Sequence, residues 1–137
     1  RTVAVRAKHF DYWISLDERG QLTADGDPVT IGGDVSAEHL LLTALARCSI
    51  SSLEHFARQK DVEVSASAYA SGTVTRREDQ ERYGFVSFEC KLDVQLTGEL
   101  ADEELRDLLA SAEWGCFIGA SLDPAPKYSW RVNGRDL

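Results

Sequence analysis

At 137 residues the sequence is long enough for one domain with a proper core. Its formal charge of −8 argues against a nucleic-acid surface; Arg76, Arg77 and Arg82 do cluster, but among Glu78, Asp79 and Glu81, which reads as a solvated turn. No apolar run reaches transmembrane length, no signal-peptide pattern opens the sequence, and three cysteines do not make a secreted disulfide scaffold, so the expectation is a cytoplasmic protein with no membrane or nucleic-acid partner.

Thr2 to Leu16 alternates loosely and reads as strand, broken near His9. Asp17-Glu18-Arg19-Gly20 is a turn signal, Gln21 to Ala24 a second short strand, and Asp25-Gly26-Asp27-Pro28 another turn. Ile31-Gly32-Gly33-Asp34 leads into Ser36 to Gln59, a long helix with no Gly or Pro inside. Ser36 is its expected N-cap, and Glu38 lies in the first turn, where a carboxylate suits the helix dipole. At ~1.5 Å per residue the helix is roughly 36 Å long. Leu40 to Leu42, Leu45, Ile50, Leu53 and Phe56 cover most of its circumference. His39, Thr43, Arg47, Ser51 and His55 leave one narrow polar stripe, with Cys48 at its border. A helix this apolar belongs inside a domain or an interface.

Asp61 ends the helix. Val62, Val64, Ala66, Ala68 and Ala70 then hold period two, and Phe85 to Leu96 does so more clearly, with Val86, Phe88, Cys90, Leu92, Val94 and Leu96 on one face. The two strands are expected to form a long antiparallel hairpin across the charged turn near Arg76 to Gly84. Gly98 breaks the pattern. Leu105, Leu108, Leu109 and Ala112 mark a second amphipathic helix, with Asp102, Glu103 and Glu104 in its first turn and Gly115 at its end. Cys116 to Leu122 reads as a separate helical turn, stopped before Pro124 and Pro126, and Tyr128, Trp130 and Val132 as a closing strand. Strands, helix, hairpin, helix, strand: an α+β chain, read as one domain over residues 1–137.

The cysteines differ in context. Cys90 lies on the inward row of a strand, where a small buried hydrophobe explains it. Cys48 and Cys116 each admit two readings, a packing residue or a reactive thiol. Cys116 follows a glycine where a new helical turn starts, and a helix N-terminus favours a thiolate. There is no CxxC, so any pairing must come from the fold. His39 and His55 stand about 24 Å apart on one helix, too far to share an ion. No Gly-rich phosphate loop, GxSxG elbow or HExxH helix occurs, and neither metal nor cofactor is expected.

Two segments carry a resemblance. Glu38-His39-Leu40-Leu41-Leu42-Thr43-Ala44-Leu45-Ala46-Arg47-Cys48 resembles the central-helix signature of the OsmC/Ohr family, a Glu followed ten positions later by Cys in a Leu/Ala-rich helix. Trp114-Gly115-Cys116-Phe117-Ile118-Gly119-Ala120-Ser121-Leu122 resembles its second cysteine motif, set after the second long helix. The Pro that usually follows the second cysteine is here Phe117, and the Pro that commonly precedes the glutamate is Ala37, so the likeness is to the broader OsmC-like group rather than to typical Ohr.

The resemblance implies an OsmC-like fold, antiparallel sheets packed around a long central helix, in an intertwined homodimer. It implies a cysteine-based peroxidase of the oxidative stress response that reduces organic hydroperoxides and sometimes hydrogen peroxide. By position Cys48 is then the peroxidatic cysteine, Cys116 the resolving one, Glu38 the motif's glutamate and Arg19 the arginine of the N-terminal hairpin. An external dithiol or a lipoyl-bearing protein restores the thiols. In such chemistry a thiolate takes the distal peroxide oxygen to become a sulfenic acid, and a second thiol condenses with it to a disulfide. A guanidinium favours the thiolate, and a carboxylate holds the guanidinium by a bidentate pair.

Spacing bears on assembly. Glu38 and Cys48 lie about 15 Å apart on one straight helix and cannot meet. Two such helices packed antiparallel about a two-fold axis would bring Glu38 of one copy to Cys48 of the other. Arg47 is an alternative cation, but on a helix it points ~100° away from Cys48. Two other classes compete: a non-enzymatic OsmC-like binding module or redox sensor holding a small apolar ligand at the dimer interface, and a structural interaction domain. The Cys48–Cys116 separation discriminates, since a disulfide needs Cα atoms within ~7 Å or a segment that can bring them there.

Overall fold

Turn chemistry builds the first of two units, which meet in sequence at Val35 and Ser36. The computed structural model describes residues 7–31 and 34–137. Strands β1 (Ile14–Leu16), β2 (Leu22–Ala24) and β3 (Asp27–Val29) form an antiparallel sheet in that order. Asp17 Oδ1 accepts from the backbone N–H groups of Arg19 and Gln21 at 2.9 and 2.8 Å, an Asx-type closure of the β1–β2 loop. Asp25 and Gly26 both adopt positive φ, 49° and 90°, and make the two-residue turn between β2 and β3.

Two expectations are corrected here. The turn at Asp25 is only two residues long, so Asp27 and Pro28, expected in the turn, begin a strand. Pro28 is tolerated because β3 is an edge. Of the strand expected over Thr2 to Leu16, only Ile14–Leu16 forms within residues 7–16. The part at Thr2 to Arg6, and Gly32-Gly33 further on, lie outside the described residues.

The second unit opens on α1 (Ala37–Gln59). Ser36 caps it as expected, its Oγ accepting from His39 N–H at 3.1 Å. His39 Nδ1 reaches back to the Ser36 N–H at 3.4 Å, so an imidazole takes the place Glu or Gln has in the usual capping box. Lys60 closes the helix, and Asp61 turns the chain with φ 57°.

The hairpin of β4 (Glu63–Arg77) and β5 (Arg82–Thr97) forms as expected. Helices α2 (Asp102–Trp114) and α3 (Phe117–Ala120) then carry the chain back, so β6 (Lys127–Val132) pairs parallel to β5. β7 (Arg135–Asp136) completes the order β4-β5-β6-β7. The sheet is therefore mixed: the expected antiparallel pairing holds for β4–β5 and β6–β7, and β5–β6 is parallel.

Helix α1 packs against β4, α2 and α3. Its buried side chains are Leu45, Ser49, Ser52, Leu53 and Ala57, and they meet Phe88, Cys90, Leu92 and Val94 of β5 with Leu108, Leu109 and Ala112 of α2 in one core. Trp130 joins this core while its Nε1–H donates to Glu113 Oε2 at 2.8 Å, tying β6 to α2.

One strand position departs from the simple alternation. Pairing runs from Thr73 opposite Ser87 directly to Val74 opposite Phe85, leaving Val86 as the extra residue of a bulge. An extra residue reverses the parity of the strand beyond it. Val86 is 40% exposed, and Phe85 takes its place, stacking on Phe88 with ring centroids 4.5 Å apart. The inward row read from sequence is thus correct from Phe88 onward and wrong at Val86.

The same substitution at two places in β5 checks this. Val94→Ala should lower unfolding stability by about 1.5–3 kcal/mol, through lost transfer energy and a residual cavity. Val86→Ala should change it by no more than ~0.5 kcal/mol. Urea unfolding of both variants measures the pair, and equal losses would contradict the bulge.

Candidate active site

Cys116 owes its position to the break between α2 and α3. Gly115 caps α2, and a Cβ there would lie 2.6 Å from Phe56 Cε2 and 3.0 Å from Ser52 Oγ. Glycine is what lets the corner approach α1 so closely. Ser52 Oγ–H donates to Ala112 O at 2.7 Å in a buried hydrogen bond, fastening the end of α2 to α1. Cys116 then caps α3, its Sγ accepting from Gly119 N–H at 3.3 Å, and is 0% exposed.

Four elements bring thiols and hydroxyls to this corner. The half-buried Cys48 of α1 lies beside the Cys116 thiol and the backbone N–H groups of Ile118 and Phe117, close enough for each to act on its protonation. Ser49, the next residue on α1, places Oγ 3.7 Å from Cys116 Sγ and 3.8 Å from Cys90 Sγ of β5. Its own proton goes to Leu45 O at 2.8 Å, which leaves the oxygen as an acceptor for those two thiols. Tyr128 of β6 brings its hydroxyl beside Ser49 and Cys116. A Cβ on Gly119 would collide with that hydroxyl. The hydroxyl is buried, and it lies close to both neighbours without a hydrogen bond of normal geometry to either. All three cysteines are free thiols.

Burial is the main influence on the protonation of Cys48, Cys90 and Tyr128. It pushes the Cys48 thiol above its ordinary value; the Ile118 and Phe117 amides pull it down, and the Cys116 thiol adds to the rise. Burial raises Cys90 as well, against the hydrogen bond with Ser49. Tyr128 is raised far above the ordinary phenol value, again chiefly by burial. Among the described residues, none of the main influences on Cys48 is a cation.

Of the residues singled out from sequence, Cys48 and Cys116 come together. Glu38 is exposed in the first turn of α1, ten residues from Cys48 on the same helix and so about 15 Å away. Arg19 is exposed in the β1–β2 turn of the first unit, its backbone held by Asp17. Arg47 is exposed on α1. Cys90 is fully buried, as its place in the row requires, yet its thiol belongs to the cluster. Ser49 and Tyr128 were not singled out from sequence. The available signals were a serine on an apolar helix face beside Cys48 and the inward phase of Tyr128 in the closing strand. Among the described residues no group of three or more His, Cys, Asp or Glu is placed to hold a metal ion, and no helix is long and apolar enough to cross a membrane.

The raised groups fix the sign of an alkaline effect on stability. Below about pH 9, the ordinary thiol value, folded and unfolded chains both carry these protons, and their contribution to stability is fully present. Above it the unfolded chain releases them first, so stability falls as pH rises through the folded values. Urea midpoints measured under reducing conditions should be level from about pH 7 to 8.5 and decline beyond it. Cys90→Ala should make the decline shallower; a midpoint that climbs above pH 9 would contradict the assignment.

Residues 31–131 match the family model described as OsmC-like protein. The chain is similar in structure to the organic hydroperoxide resistance protein OhrB of Bacillus subtilis, at 16% identity over 90% of this chain and 98% of that one, with a TM-score of 0.60. It is similar to an OsmC-like protein from Mycoplasma pneumoniae at 15% identity, over 93% of this chain and 98% of that one, with a TM-score of 0.67. An OsmC-like protein of unknown function from Vibrio cholerae gives 16% identity, 87% of this chain, 83% of that one and a TM-score of 0.67. No curated protein matches the sequence. At such identities the likeness is one of fold, and it agrees with the two sheets and the helix order described above. With a family model that spans most of its length and structural relatives that share its architecture, the chain belongs to the OsmC-like protein family.

Proposed function

We propose that this chain is a thiol-dependent peroxidase for organic hydroperoxides, oxidised at Cys48 and resolved by Cys116. The observation that carries the reading is the juxtaposition of the two free thiols, one half-buried and reachable, the other sealed behind it. The Cys48 thiolate attacks the distal peroxide oxygen; the O–O bond breaks, alcohol leaves, and the sulfur becomes a sulfenic acid. Cys116 sulfur displaces the hydroxyl as water, and the S–S bond forms before a second peroxide can over-oxidise Cys48. Leu41, Leu42, Ile50 and Ile118, packed with Cys48 on the core, suit an organic peroxide better than a hydrophilic one. The Bacillus subtilis relative, an organic hydroperoxide resistance protein, supports the same substrate class.

Burial alone disfavours the Cys48 thiolate, so a cation must offset it. The family resemblance gives that part to Arg19, with Glu38 of a second copy holding the guanidinium in a homodimer. An external dithiol or lipoyl-bearing protein then reduces the disulfide. A non-enzymatic binding module is the second reading, favoured by the same raised thiol, which without a cation reacts slowly.

Stopped-flow mixing of reduced protein with an organic hydroperoxide separates the two. One equivalent of peroxide should be consumed rapidly per chain, and Cys48→Ser should abolish the reaction. Cys116→Ser should retain the first turnover and progress to sulfinic acid in excess peroxide. Arg19→Ala should slow the first step by roughly tenfold to a thousandfold, the range of losing one group that stabilises developing charge. Wild-type oxidation no faster than that of an unperturbed thiol would leave the binding module in front.

A further inference from the structure

Among the described residues the cluster holds one buried side-chain hydroxyl without a hydrogen bond, that of Tyr128. A buried polar atom without a partner is unfavourable, and a packing role would be filled as well by phenylalanine. The surroundings are nonetheless shaped to admit this oxygen. Gly119 lacks the Cβ that would collide with it, and the ring is fixed by stacking on Trp130, with centroids 6.3 Å apart. The other hydroxyl in the cluster has no proton to give, since Ser49 donates to Leu45 O. The Cys116 sulfur already accepts from Gly119 N–H, so a thiolate there has one donor in place and a second within reach.

We infer that Tyr128 is the hydrogen-bond donor that stabilises Cys116 as a thiolate during disulfide formation. This rests on the proposed roles of Cys48 and Cys116. In the reduced protein the Cys116 thiol is within hydrogen-bond reach of Ser49 Oγ, and Tyr128 waits unpaired. When Cys116 gives up its proton, the sulfur gains acceptor capacity, and the phenol, which burial keeps protonated, turns its O–H onto it. The sulfur then attacks Cys48; the S–S bond forms, the S–O bond breaks, and the departing hydroxide takes up the proton as water. The groups facing this sulfur are Cys48 and Ser49 from α1, Cys90 from β5, Tyr128 from β6 and the α3 amide. Tyr128 is thus a residue for the second step and not for the first.

Tyr128→Phe removes the oxygen and keeps the ring. Formation of the Cys48–Cys116 disulfide is followed across pH in wild type and variant, after oxidation by an organic hydroperoxide and, separately, by diamide. Both oxidants load the sulfur of Cys48 and leave the same displacement to Cys116. The variant should form the disulfide about threefold to tenfold more slowly at neutral pH, because the gain in thiolate population outweighs the loss of nucleophilicity that accompanies it. The pH of half-maximal rate should rise by about one unit, while loading of Cys48 is unchanged. Disulfide formation indistinguishable from wild type would overturn the inference, as would a slowing equal at every pH, the mark of a purely structural effect. A wild type that responds to diamide and not to hydroperoxide would sink the peroxidase reading alone, leaving the diamide arm to decide on Tyr128.

Discussion

The close contact between α1 and the corner joining α2 to α3 is what the rest of the second unit depends on. Ser52 bonds the last turn of α2, and Gly115 lets the backbone pass against Phe56 and Ser52 itself. Without that approach α3 would start elsewhere, and Cys116 would cap a turn far from Cys48. The same corner directs the chain back over the sheet, so that β6 enters parallel to β5 and delivers Tyr128 from the far side. Trp130, bonded to Glu113, fixes the register between that strand and α2. A hydrogen bond, a missing Cβ and a crossover therefore determine where the sulfur atoms are.

Burial acts in two directions on the cluster. It excludes water from the Cys116 side, where a sulfenic acid must meet a thiol and nothing else, and it favours the neutral forms of Cys48 and Cys90, which slows a thiol as a nucleophile. The α3 amides at Ile118 and Phe117 partly relieve Cys48 but do not reverse the balance. A protein that placed the cation permanently among these groups would face the desolvation of a buried charge. A cation supplied from an exposed position avoids that cost.

Local pattern carried most of the second unit. The cap at Ser36, the long helix, the hairpin, the second helix ending at Gly115 and the separate turn at Cys116 each have a residue-level signal, and each is present. What failed was decided by more than one strand. Val86 follows the alternation of its neighbours, and only the pairing with β4 reveals the bulge that turns it outward. The parallel sense of β6 is a matter of where two helices lead the chain, and a three-residue strand such as Asp27–Val29 is too short to show a period. The site divides the same way. Cys48 and Cys116 stood out by motif, whereas Ser49, Cys90 and Tyr128 acquire meaning only where four elements converge.

The proposed chemistry turns on which sulfur atoms join. Reduced protein treated with one equivalent of an organic hydroperoxide, alkylated, digested and mapped by mass spectrometry answers this directly. The expected product is a Cys48–Cys116 disulfide with Cys90 recovered as an alkylated thiol. A bridge that includes Cys90, or Cys48 recovered as sulfinic acid beside an alkylated Cys116, would contradict it.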